Sequence, residues 1–139
     1  MADLSPQRRA ALIEITQRLP GFSCQGILGA FLDNYFVAEV LARKIMSFYH
    51  DDTKKSGSCD IQVQKLGAAI KYFKVGFSEP DTKVLFRGGE GLRGSKSARQ
   101  LRNGYVHGLS AEDRIEIERK APRLNAMLNR FIKSVCSTA

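Results

Sequence analysis

Residues 23–49, SCQGILGAFLDNYFVAEVLARKIMSFY, decide the fold class. Ile27, Leu28, Phe31, Leu32, Tyr35, Phe36, Val40, Leu41, Ile45 and Phe48 return turn after turn at the helical period. The band they form is too broad to be covered by one neighbour. The spacing therefore predicts a long helix over about 23–49, packed against several others.

The flanking segments read the same way. Ser5-Pro6 places a capping hydroxyl before a proline at the first helical position. Leu12, Ile15 and Leu19 then recur at spacings of three and four, up to the break at Pro20-Gly21. After a polar loop over 50–59, Asp60 is the expected cap of a helix over 61–74 that buries Leu66, Ala69, Ile70 and Phe73. Ser78 and Pro80 open a short helix ending at Phe86. Residues 87–96, RGGEGLRGSK, are glycine-rich and basic and read as a surface loop. A further helix is expected over 95–107, closed by Gly108. Ser110 with Asp113 caps a last helix over 111–135, striped by Leu124, Leu128, Phe131 and Val135, and Pro122 is expected to kink or split it. Alternating strand patterns and internal repeats are absent. The expected architecture is an all-α up-and-down helical bundle with four to five main helices, forming one domain over residues 1–139.

Composition narrows the function classes. The chain has 22 Lys and Arg against 14 Asp and Glu, a net charge of +8, which favours a polyanionic partner. Nucleic acid ranks ahead of an anionic membrane surface. No run approaches the ~18 apolar residues of a membrane span. Charges at Asp3, Arg8, Arg9, Glu14 and Arg18 interrupt anything resembling a secretory leader. Cys24, Cys59 and Cys136 lie far apart, without metal-ligand spacing, and fit reduced thiols in a cytoplasmic protein.

The chemistry-bearing stretch is 94–109, GSKSARQLRNGYVHGL. On a helix, Arg99, Asn103 and His107 are four residues apart and share a face, drifting ~40° per step. Arg102 sits beside them, and Ala98, Leu101 and Tyr105 form the opposite side, expected to face the core. Imidazole titrates near ~6.5 and can take and return a proton at neutral pH. Guanidinium grips a phosphate with paired donors and offsets the charge that builds up in phosphoryl transfer. An amide can orient either. This is the set needed for an RNA 2′-hydroxyl to attack its own phosphate, with no metal or cofactor. The ordinary reading is a histidine at a helix C-terminus beside solvated polar residues.

The run Arg102-Asn103-Gly104-Tyr105-Val106-His107 resembles the signature of the HEPN superfamily: an arginine, commonly followed by Asn or another polar residue, then a histidine after four to six intervening residues. Ser97-Ala98-Arg99 before it and Gly108-Leu109 after it resemble the flanks, and an all-α bundle with the motif in its later half is the family's arrangement. The resemblance implies a metal-independent endoribonuclease, often a toxin of toxin–antitoxin pairs or phage defence. His107 would transfer protons, Arg102 would hold the phosphate and transition state, and Asn103 would orient. The products would be a 2′,3′-cyclic phosphate and a 5′-hydroxyl. Some relatives carry a tyrosine two residues after the histidine, the target of a modifying antitoxin; Leu109 stands there instead. Only His107 sits at this site, which calls for a second copy, and the resemblance implies a homodimer with a composite cleft of two imidazoles and four arginines. The alternative is a non-catalytic HEPN-like module that binds RNA or a protein.

Lys83, Arg87, Arg93, Lys96, Arg99 and Arg102 face only Glu90 as an acid across 83–102, an electrostatic approach for an RNA backbone. Arg87, Arg93, Lys96 and Arg99 are accordingly the expected RNA-binding residues. The glycine loop has the wrong order for a nucleotide-cradling sequence, with Gly94 followed by Ser95 then Lys96. His50 with Asp51 and Asp52 reads as an exposed helix end rather than a metal site. Asp33 and Glu39 either hold Arg99 or Arg102 or edge the long helix in water. A helical DNA-binding regulator ranks last, since no turn between two short helices suits a recognition helix.

Overall fold

The structure, a computed structural model, describes residues 3–18, 26–54, 61–88, 96–108 and 110–137. Six helices follow one another: α1 (Pro6–Arg18), α2 (Gly26–Thr53), α3 (Val63–Tyr72), α4 (Glu79–Phe86), α5 (Ala98–Val106) and α6 (Ala111–Cys136). There is no strand among the described residues. The fold is an all-α helical bundle.

Local chemistry sets most of the helix starts. The side chains of Ser5, Ser78, Ser97 and Ser110 accept from the amides of Arg8, Asp81, Gln100 and Asp113, at 3.1–3.2 Å. Each satisfies one of the amides that a helix N-terminus leaves without a partner. The helix expected from residue 95 begins at Ala98, because Ser97 has Gln100 three residues on. The Gln100 side chain returns a bond to the Ser97 amide at 2.9 Å and completes a capping box that Ser95 could not form. The expected cap Asp60 lies outside the described residues, and α3 starts after Gln62 without a side-chain cap. It ends at Tyr72, two residues early, where Lys74 turns left-handed with φ 54° and Val75 donates back to the Ile70 carbonyl.

The α2 helix lies at the centre, against α1, α3, α5 and α6. At 28 residues it is about 42 Å long. Its buried line is Phe31, Tyr35, Ala38, Leu41, Ala42 and Ile45. Two members of the expected band, Ile27 and Phe36, are instead exposed. The small residues Gly29, Ala38 and Ala42 take interior positions and let neighbouring helices approach. Phe131 of α6 meets Phe77 and Phe86 edge-on at centroid distances of 5.2 and 5.1 Å, and Phe86 reaches Tyr35 at 6.1 Å. These favourable ring geometries tie α2, α4 and α6 into one core. Pro122 neither splits nor ends α6, which runs unbroken past it. On α1, the Arg8 guanidinium lies over the Phe48 ring at 4.7 Å and pairs with Asp52 at 2.7 Å. Asp52 is thereby tied to α1. Cys24, Cys59, Arg93 and Leu109 fall outside the described residues.

Candidate nucleic-acid interface

Ala98 and Leu101 are fully buried and fix the rotation of α5. Tyr105, expected in the core beside them, is only half-buried, while Gly104 next to it packs against α6. With Ala98 and Leu101 inward, Asn103, Val106 and His107 face outward and are exposed. His107 is the C-cap residue: its amide donates to the Asn103 carbonyl at 3.0 Å, and Gly108 follows with φ 110°. That conformation suits glycine and ends the helix as expected.

Arg102 is half-buried and its Nη1 donates to Asn103 Oδ1 at 3.3 Å. Asn103 thus accepts from Arg102 through its side chain and from His107 through its backbone. Arg102 and His107 are five residues apart, about 7.5 Å along the axis and ~140° around it, with Asn103 in the sector between.

Arg99 is placed differently from its neighbours. Its Nη1 donates to the Ile61 carbonyl at 2.7 Å, and it crosses Gly88 so closely that a Cβ there would come within 2.9 Å of Nη1. This guanidinium ties the entry of α3 to α5 instead of lying alongside Asn103 and His107. Glu39 pairs with Arg43 one turn along α2, at 3.2 Å, rather than with an arginine of α5. Beneath α5, Tyr35 is 1% exposed. Burial chiefly, and then Glu39, push its phenol far above the ordinary range, against the opposing pull of Arg99, Arg102 and Arg43. The junction of α2 with α5 therefore gathers three guanidiniums, one carboxylate and a neutral phenol.

Gly104, inside the interval from Arg102 to His107, faces α6. A Cβ on it would lie 2.6 Å from Asp113 Oδ2. Asp113 is 8% exposed and receives Lys96 Nζ at 2.6 Å, an ion pair that lifts the lysine above its ordinary value. Of the expected RNA-binding residues, Lys96 and Arg87 line a cleft at the N-terminal end of α5, and the Lys96 ammonium reaches from there to Asp113 beside Gly104. The lysine and arginine that α6 adds to that cleft, Lys120 and Arg123, escaped the sequence reading because they are distant along the chain.

Comparisons with protein-family models, with curated proteins and with solved structures find no match for this chain.

Proposed function

We propose that the chain is a metal-independent endoribonuclease of the HEPN type, acting as a homodimer on RNA in the cytoplasm, in a toxin–antitoxin or phage-defence setting. The observation that carries this reading is Asn103, which accepts from Arg102 through Oδ1 and from the His107 amide through its carbonyl. Arg102 and the exposed His107 flank Asn103 at the C-terminal end of α5.

The chemistry follows from that pairing. One imidazole takes the proton of a 2′-hydroxyl as its oxygen attacks the adjacent phosphorus, and the bond to the 5′-oxygen breaks. A second imidazole returns a proton to that oxygen, leaving a 2′,3′-cyclic phosphate and a 5′-hydroxyl. Arg102 offsets charge on the non-bridging oxygens. The second imidazole comes from a second copy. Val106 and Ile115, 58% and 65% exposed at the end of α5 and the start of α6, are apolar side chains suited to meeting that copy.

The test is cleavage of single-stranded RNA in EDTA. His107→Ala and Arg102→Ala should each lower the rate about 100-fold or more with unchanged circular dichroism, and gel filtration at micromolar concentration should give a dimer. Undiminished cleavage in both variants would overturn the site. Salt-sensitive binding without product would favour the non-catalytic module instead.

A further inference from the structure

A second feature lies at the other end of α5. The last turn of α4, the segment entering α5 and the middle of α6 enclose a cleft of about 390 Å³. Five cationic side chains line it: Lys83, Arg87, Lys96, Lys120 and Arg123. Among the described residues no carboxylate does. The acids that pair with three of them stand outside the lining: Glu79 at 3.6 Å from Lys83, Asp113 at 2.6 Å from Lys96 and Glu116 at 2.5 Å from Lys120. These pairs offset part of the positive charge of the lining. Arg123, exposed on α6, forms no ion pair among the described residues.

Leu124, Val84 and Pro80 add apolar side chains to the same lining. Ser97, the N-cap of α5, also lines the cleft, so the positive end of that helix falls there. The volume lies within the ordinary range of small-ligand sites, about 300–1,000 Å³. Cationic and apolar side chains lining one cleft match a molecule with one flat apolar part and one anionic part. We propose that this cleft binds a phosphorylated nucleotide, either free or as one unit of an RNA strand, with the phosphate on Arg123, Lys83 and Lys120 and the base over Val84 and Leu124. The site needs no chemistry from His107 and stands apart from the cleavage reading.

Binding is measured in EDTA on the His107→Ala chain, so that no probe is consumed. One probe is adenosine 5′-monophosphate, followed by calorimetry. The other is a fluorescein-labelled 12-nucleotide single-stranded RNA, followed by anisotropy. Arg123→Glu should weaken at least one of them about tenfold, and adding Lys83→Gln should weaken it further. For the RNA, each lost phosphate contact should also lower the slope of log affinity against log salt by about 1. Lys44→Glu, the same charge change on an exposed residue of α2, should leave both within twofold.

Loss for the mononucleotide identifies a free nucleotide as the occupant, and loss for the RNA alone identifies a unit of a strand. The proposal is overturned if neither probe binds, or if Arg123→Glu and Lys44→Glu act equally. Wild-type cleavage without cleft binding would overturn this inference alone; cleft binding without wild-type cleavage would overturn only the nuclease reading.

Discussion

Replacing Gly104 by alanine should act against the usual direction. In an ordinary helix interior the change stabilises by about 1 kcal/mol, because alanine restricts the unfolded chain and favours the helix. Here the new methyl would stand 2.6 Å from Asp113 Oδ2 and 3.3 Å from its Cγ. The carboxylate must swing away, and it is not free to do so cheaply: Asp113 is 8% exposed and holds Lys96 at 2.6 Å. Weakening that half-exposed pair costs about 0.5–1 kcal/mol, and forcing Asp113 from its rotamer about 0.5–1.5 kcal/mol more. The expected outcome is a loss of up to about 1.5 kcal/mol in place of the gain. Removing the obstacle should restore the ordinary sign: in an Asp113→Ala background, Gly104→Ala should stabilise by about 1 kcal/mol. Urea unfolding of the four chains, followed by circular dichroism, gives the coupling directly, expected at about 1–2.5 kcal/mol. An equal gain from Gly104→Ala in both backgrounds would show that α6 does not press on α5 at this point.

Tyr35 carries a buried hydroxyl without a hydrogen-bond partner among the described residues, so Tyr35→Phe should leave stability unchanged or raise it by up to about 2 kcal/mol at pH 7. The folded chain holds this phenol neutral well beyond its ordinary value near 10, so as pH rises past 10 the unfolded chain ionises first and stability falls. Urea midpoints compared at pH 8 and pH 11 should fall further for the wild type than for Tyr35→Phe. Ser97→Ala removes the cap of α5 together with the hydroxyl bond to the Arg87 carbonyl. A loss of about 1–2 kcal/mol is expected, with faster hydrogen exchange at the Gln100 amide.

The helices were legible where their signals are local. Ser5, Ser78 and Ser110 announce their helices by residue type, and the glycine expected to close α5 has the left-handed turn that such a closure uses. Ser95 and Ser97 both offer a hydroxyl, and only the reciprocal bond from Gln100 separates them. On α2 the apolar band located the helix but not its inner face. Burial follows the approach of α1, α3, α5 and α6, which leaves Phe36 outside and brings Ala38 in. The exposed positions of Asn103 and His107 followed from periodicity. The inward turn of Arg99 did not, because its acceptor, the Ile61 carbonyl, is 38 residues away. The convergence of Lys120 and Arg123 with Lys83 likewise depends on how α6 lies against α4.

Pro122 stands on the solvent side of α6 and supplies no amide to the Glu118 carbonyl. Beyond it, Leu128, Phe131 and Val135 anchor the rod; before it, the turns that bear Asp113 rest on α5. Ile117 and Ala121, fully buried ahead of Pro122, seat those leading turns in the same core, so the missing bond leaves α6 one continuous rod and Asp113 meets the shoulder of the helix bearing His107 from a fixed footing.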